Sequence, residues 1–268
     1  MIKRDIIFLG CTRFSESILE SLIDNNFNIK AIFSIPKMFN ISYNSKKVFN
    51  TNYCDLEPYS QKLNIPFFLI DSKQGKKLDN FYDLIFSYKP DVIIAAGWYY
   101  MIPKKVREIP KYGVWGLHSS LLPDYAGGAP LVWAMINGEK KTGVTLFKID
   151  KGVDDGDIIF QSEIEIKNED HIRHVLKKVT IESKRILIKA LKSKHLTYKP
   201  QDKSKIKIYP QRKPEDGEIN WEWSSTRIKN FIRAQSRPYP GAWSIINNRK
   251  VYFWETNYEK KLKKYENL

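Results

Sequence analysis

Two cysteines and four histidines are all that 268 residues supply of the side chains that most often hold transition metals or act as thiol nucleophiles. Cys11 and Cys54 cannot form a metal site by themselves, and so few thiols suit a reducing compartment in which both stay free. Long apolar runs are missing as well. The one near the start, inside "MIKRDIIFLGCTRF", spans about five residues, too short for a signal peptide or a membrane-spanning helix, so the expectation is a cytoplasmic protein with no membrane partner. Glycine is sparse where a dinucleotide fingerprint needs it. "LGCTRFS" offers Gly10 alone, without the second and third glycines that let backbone approach a pyrophosphate, which disfavours a nicotinamide cofactor. Acidic residues are outnumbered, 30 against 45 Lys plus Arg, for a net charge of +15. An anionic partner is one reading of that excess; the preferred one is that runs such as "VLKKVTIESKRILIKALKSK" are solvated helix faces.

What is present argues for a folded α/β protein. At 42% hydrophobic and 13% aromatic residues, the chain has ample material for a core. "DIIFLG" reads as a buried strand entering a turn, "SESILESLIDNNFN" as a helix with Ile18, Leu19, Leu22 and Ile23 at helical spacing, and "IKAIFSI" as a second strand. After "PKMFNISYNSKKVFNTNY", read as a polar loop spotted with aromatics, the alternation resumes. "CDLEPYSQKLN" is helical, "IPFFLI" a strand, "DNFYDLIFSYK" a helix and "PDVIIAAGW" an all-apolar strand. Such alternation predicts an open, Rossmann-like sheet, in which ligands bind beyond the carboxyl ends of the strands; that singles out "GWYYMIP" at 97–103 and the loops after residue 9. Two further strands are expected within 142–166 and a long amphipathic helix over 168–194. The expected division is a catalytic domain at 1–198, then a Pro- and charge-rich linker and a small C-terminal α+β subdomain at 199–268. That subdomain should hold a helix near 224–236, the turn "RPYPGAW" and a hairpin "WSIINNRKVYFWE" with Asn-Asn at its tip.

The chemistry-bearing residues concentrate in two stretches, "HSSLLPDYAGGAP" and "TGVTLFKIDKGVDDGD". His118 and Asp154 each lie beside glycine-rich turns, with a helix ("APLVWAMING") and a strand between them that can return both side chains to one end of a sheet. Histidine is the usual general acid or base near neutral pH, and a carboxylate nearby orients such a ring. Taken alone, a histidine in a turn is more often a structural hydrogen-bonding group than a catalyst.

The stretch "GLHSSLLPDYAGGAPLVWAMINGEKKTGVTLFKIDKGVDDGDI" resembles the N10-formyltetrahydrofolate-dependent formyltransferases, whose pattern runs Asn-x-His-x-Ser-Leu-Leu-Pro, a Gly-rich turn, Thr-Gly-Val-Thr and Asp-x-Gly-Asp. "GWYYMIP" is similar to the folate-pocket segment, and "PEDGEINW" with "IRAQSRPYPGAW" is similar to the second region of the family. The resemblance implies transfer of a formyl group from N10-formyltetrahydrofolate, as co-substrate and without a metal, to an amine. It implies that His118 assists proton transfer or oxyanion stabilisation, with Asp154 orienting the ring and the amine. It also implies that the pteridine is gripped by Tyr100, Met101, Ile102, Ile149, Asp150 and Lys151, largely through backbone groups.

Two positions depart from the family pattern. Gly116 stands where the family has the asparagine that holds the formyl oxygen, and Ala126 stands where an arginine is common. Losing one oxyanion donor costs roughly 2.7–4 kcal/mol, so slow catalysis is expected unless a neighbour compensates: Ser119, Ser120, an ordered water, or a closer approach of the backbone at the glycine itself. Among acceptors, the resemblance is nearest to the nucleotide-linked sugar N-formyltransferases of surface polysaccharide (lipopolysaccharide O-antigen) synthesis, which implies a homodimer binding a nucleotide sugar and no nucleic acid. Arg13, Trp98 and Tyr125 are the substrate-binding candidates, with the lysines of 37–47, Phe39, Tyr43 and Tyr239 behind them. The methionyl-tRNA formyltransferases are the alternative, glycinamide-ribonucleotide enzymes a third. Because of Gly116, a folate-binding or hydrolytic protein without transferase activity also stays open.

Overall fold

The computed structural model describes residues 4–41, 44–71 and 77–255. It begins with β1 (Asp5–Leu9), α1 (Arg13–Asp24), β2 (Asn28–Ser34), a hairpin of β3 (Met38–Ile41) and β4 (Asn44–Phe49), α2 (Glu57–Leu63) and β5 (Phe67–Leu69). There follow α3 (Tyr82–Ser87), β6 (Val92–Ala95), α4 (Lys104–Arg107), β7 (Val114–His118), β8 (Ala126–Gly127), α5 (Pro130–Ile136), β9 (Lys141–Lys148) and β10 (Ile158–Glu165). The last elements are α6 (Ile172–Lys192), β11 (Ile208–Tyr209), α7 (Ser225–Gln235), β12 (Ala242–Ile246) and β13 (Arg249–Phe253). Contacts gather the chain into two discontinuous units. One comprises Met1–His118, Thr145–Gln161 and Thr180–Gln201; the other comprises Ser119–Val144, Ser162–Val179 and Asp202–Leu268.

The first unit is organised by a seven-stranded sheet of order β10-β9-β7-β6-β1-β2-β5. Strands β5, β2, β1, β6 and β7 run parallel, and β9 joins β7 antiparallel. Sandwiched strands must be apolar on both faces, and Ile6 to Leu9 and Val92 to Ile94 are all buried. Chain order reverses at β1: β2 and β5 lie to one side of it, and β6 then returns on the other. The crevice beyond the carboxyl ends of β1 and β6 is therefore the topological switch point at which open α/β sheets bind ligands. Helix α1 starts there on a capping box in which Thr12 and Ser15 exchange side-chain and backbone hydrogen bonds. The Ser15 hydroxyl also donates to the Ala96 carbonyl at 2.6 Å, tying the first turn of α1 to the end of β6. Gly10 is required by this closeness, since a Cβ there would stand 2.6 Å from Ser15 Cβ.

Two readings change. The segment after β2, expected to be a loop, is an antiparallel hairpin in which Met38 is exposed and Phe39 buried, the alternation of a half-covered strand. His118, expected in a turn, is the last residue of β7, where ladder pairing with Thr145 fixes its backbone.

In the second unit, β12 and β13 form the expected hairpin with Asn247 and Asn248 at its tip, both at positive φ (50° and 58°), as a tight hairpin turn of the right twist demands. The segment read as a linker is partly structured: β11 pairs in parallel with β8, and Gly127, at φ +91°, lies so close to the Tyr209 carbonyl that a side chain has no room. No helix among the described residues is long and apolar enough to cross a membrane, and no cluster of three metal-binding side chains occurs among them.

Candidate active site

His118 and Asp154, widely separated in sequence, meet in the first unit, with His118 Nδ1 3.4 Å from Asp154 Oδ2. The imidazole is 9% exposed, and Asp154 keeps more contact with solvent. The loop carrying Asp154 is closed at its base by Lys148 N–H donating to the Asp157 carbonyl at 2.8 Å and by Ile149 N–H donating to Val114 at 2.8 Å. Inside it, Asp155 Oδ1 accepts the Gly152 amide at 3.1 Å. Gly156 packs onto the Lys148 carbonyl so tightly that no Cβ could fit. Asp154 itself sits at φ +51°, a left-handed conformation that costs an L-residue about 1 kcal/mol or more and persists only where its surroundings impose it. Opposite His118 on β9, the buried Thr145, last residue of "TGVT", accepts a hydrogen bond from Gln161 Nε2 at 3.0 Å.

The segment "GWYYMIP" lines the switch-point crevice. Gly97 adopts φ +63°, and a side chain there would run into Thr12 and Ser15. Trp98, Tyr100 and Ile149 pack as partly buried groups on the cluster that contains Ile93, Ala95, Ile102, Val106 and Val114. Trp98 and Tyr100 meet edge to face at 6.1 Å, and Phe39 completes the aromatic wall through rings 5.0 Å from Tyr99 and 5.8 Å from Tyr100. The structure thus brings four of the expected residues, Trp98, Tyr100, Ile102 and Ile149, onto one apolar surface. Met101 is 66% exposed. Asp150 turns its carboxylate to Arg107, at 3.1 Å, and Lys151 is exposed. The fit to a folate is chemical: an apolar, aromatic wall suits a pteridine, and Trp98 Nε1–H is a buried donor with no hydrogen-bond partner among the described residues, a group that an acceptor-rich heterocycle would satisfy.

Other candidates fall elsewhere. Arg13 is exposed at the start of α1. Tyr125 lies in the second unit, stacked 4.8 Å from Tyr209, with its hydroxyl donating to Glu139 at 2.8 Å and accepting from Asn137 at 3.1 Å. Burial, with the Glu139 carboxylate, pushes that phenol well above its usual pKa, so it stays a neutral, engaged group. Tyr239 is in the second unit too, and Tyr43 lies outside the described residues. Burial also pushes the Cys11 and Cys54 thiols up to about 12, leaving both protonated at neutral pH.

Gly116 lies in the middle of β7, opposite Phe147 of β9. A Cβ there would meet Phe147 Cε1 at 2.8 Å and Ile149 Cγ1 at 3.1 Å, so the room an asparagine side chain would occupy is filled by those two side chains. Ser120, a candidate replacement donor, gives its hydroxyl proton to the Asp124 carbonyl at 2.6 Å. Ala126 is fully buried in β8. Sequence reasoning missed Gln201, which sits in the segment read as linker; its Nε2 donates to the carbonyls of Asp154 (2.8 Å) and Gly156 (2.7 Å). No local pattern marks it, because its partners are set by the fold.

Comparison with known proteins gives the same direction. Residues 4–191 match the family model described as formyl transferase, and 211–267 match that of the formyl transferase C-terminal domain. The chain is 33% identical over 254 residues to the methionyl-tRNA formyltransferase of Thermodesulfovibrio yellowstonii, covering 94% of this chain and 79% of that protein. Among solved structures, a 4-N formyltransferase from Francisella tularensis superposes with a TM-score of 0.69 at 18% identity, over 94% of this chain and 96% of that one. WlaRD, a sugar 3N-formyl transferase crystallised in the presence of dTDP and 5-N-formyl-THF, superposes at 0.66 with 21% identity, over 94% and 85%.

Proposed function

Because the chain belongs to the formyl transferase family, we propose that it moves a formyl group from N10-formyltetrahydrofolate to the amino group of a nucleotide-linked amino sugar. The observation that carries the chemistry is the 3.4 Å approach of His118 Nδ1 to Asp154 Oδ2, in the same unit as the apolar cluster of Trp98, Tyr100, Ile102 and Ile149. Bound folate supplies a formyl carbon already activated for attack; the rest falls to the side chains. Asp154 orients the imidazole through Nδ1 and holds the incoming amine. His118 takes up the proton the amine sheds as its bond to the formyl carbon forms, and delivers a proton to the nitrogen that departs, so the proton count closes without a metal. Once it holds that proton, the His118 ring can also donate to the oxygen of the tetrahedral intermediate before passing the proton to the departing nitrogen, a task that falls more heavily on it because position 116 carries no amide. Trp98 Nε1–H and the backbone of 100–102 and 149–151 grip the pteridine.

The acceptor reading rests on the segment after β2. There Phe39 is buried with Cys11 and Ile35 and packs against Tyr53, Trp98 and Tyr100, which seats this aromatic on a wall shared with Trp98 and Tyr100. Such a wall suits a small ligand with a planar base. Transfer to methionyl-tRNA is the second reading, favoured by the 33% identity to an enzyme of that name and by the net charge of +15, which suits phosphate contacts. Incubating the protein with N10-formyltetrahydrofolate and a panel of dTDP-, UDP- and GDP-linked amino sugars, alongside charged initiator tRNA, separates them by mass spectrometry. A formyl gain on a nucleotide sugar is expected; gain on the tRNA alone overturns the sugar reading, and gain on neither overturns the transferase reading.

A further inference from the structure

The geometry points to Gln201 as the positioning residue that holds Asp154 against His118. Its side chain is 8% exposed, and its amide nitrogen alone spans the loop bearing Asp154, donating to the carbonyl of Asp154 at 2.8 Å and to that of Gly156 at 2.7 Å. Both partners are carbonyl oxygens, which can only accept, so the orientation of the amide is fixed: its two N–H groups face the loop. Oε1 is left buried with no hydrogen-bond partner among the described residues. An unpaired buried acceptor is costly, and the pair of short bonds on the nitrogen is what offsets it.

The two bonds grip the loop on either side of Asp155, at the place where the backbone is least at ease. Asp154 stands at φ +51° and Gly156 is pressed against the Lys148 carbonyl. A left-handed residue relaxes toward the ordinary regions unless its carbonyl is pinned, and the Asp154 carbonyl is the atom that Gln201 pins. The segment carrying Gln201 is itself anchored: Lys199 exchanges two 2.8 Å backbone hydrogen bonds with Ile158 at the start of β10. The clamp therefore runs from the sheet through Lys199 and Gln201 to the backbone of Asp154, and sets the direction of its carboxylate toward Nδ1 of His118. Gln201 touches no reacting atom; it acts through Asp154. The inference rests on the formyl-transfer reading of the His118–Asp154 pair.

The test compares the full-length protein with Gln201→Met, which keeps length and apolar bulk but has no donor, and with Gln201→Asn, which keeps the amide but is too short to reach both carbonyls. Hydrogen exchange read by mass spectrometry on peptides covering 149–157 should rise in both variants, with a modest fall in the unfolding midpoint that leaves both folded at the assay temperature. With the accepted substrate, kcat should fall about tenfold to a hundredfold, as expected for a misdirected catalytic group, with KM for the folate little changed. In an Asp154→Asn background, Gln201→Met should add almost nothing, because the group it positions is already disabled. Unchanged exchange in 149–157, unchanged kcat, or a loss that multiplies fully with that of Asp154→Asn each overturn the inference. If the parent transfers no formyl group to any acceptor, the formyl-transfer reading fails, and the exchange result still decides whether Gln201 clamps the loop.

Discussion

Among the described residues two aspartates stand beside histidines, one in each unit, and they do different work. Asp154 reaches His118 across a long sequence separation, at 3.4 Å, on a loop whose backbone is held in an unfavourable conformation. Asp170 reaches His174 at 3.8 Å simply because the two are one helical turn apart. Asp170 is already occupied: Lys178 Nζ donates to it at 2.6 Å and the Lys167 amide at 2.8 Å, while Arg233 donates to the carbonyls of Lys167 and Asp170. The ring of His174 accepts the His171 amide at Nδ1, so that nitrogen is not donating to Asp170. An aspartate next to a histidine is thus no evidence of chemistry. What separates the two cases is strain: Asp154 stands at φ +51° to meet a histidine distant in sequence, while Asp170 and His174 meet by helical spacing alone.

The largest expected effect breaks the two sites apart. Asp154→Asn should lower turnover by about a hundredfold or more with little change in the unfolding midpoint. Asp170→Asn should do the reverse, reducing stability by about 2 kcal/mol through the weakened Lys178 interaction while folded protein keeps its turnover. Circular dichroism melts and steady-state rates on the same preparations check both. Next in size is Gly116→Asn. The added side chain must displace Phe147 and Ile149, so the expectation is a stability loss of about 1–3 kcal/mol from overpacking and no gain in rate. A several-hundredfold rise would mean that the site is a degraded version of the family's. The smallest effects are in pH. Burial raises the Asp170 carboxyl, but hydrogen bonds from Lys178 and Lys167 and the Lys178 charge outweigh it and hold the pKa below its usual value. That stability is present above the ordinary carboxylate pKa of about 3.9 and is lost as pH falls through the lower folded value. Burial, aided by Arg173 and His174, lowers His171 in the fold. Below about pH 6.5 the unfolded chain therefore takes up a proton that the fold resists, and stability declines as pH drops. Denaturant titrations at pH 7.5, 6 and 5 should show that decline in the parent and a flatter profile in His171→Gln.

Elements whose signal is local were legible in the sequence: the apolar strands β1, β2 and β6, the periodic helices α1, α6 and α7, and the hairpin with Asn247 and Asn248 at its tip. The β3–β4 hairpin was not, because its pattern is short and mixed, and Phe39 is paired with Tyr99 and Tyr100, residues far away in sequence. Position 118 reads as a turn from its neighbours Ser119 and Ser120, while in the fold "VWGLH" is a sheet strand flanked by β6 and β9. Of the candidate site, the approach of His118 to Asp154 is anticipated from their motifs; the switch-point argument singles out 97–103, with Trp98, Tyr100 and Ile102, while Ile149 comes only from the resemblance to the formyltransferases. Gln201 and the Arg107–Asp150 pair were not legible, since each is defined only by the partner that folding supplies.

The two histidines divide along the same line as the two aspartates. Formyl transfer to the accepted amine is measured side by side for His118→Asn and His174→Asn, each confirmed as folded. The account predicts that turnover falls about a hundredfold or more in the first and stays close to the parent rate in the second. Near-parent turnover in His118→Asn, or an equal loss in both, would contradict it.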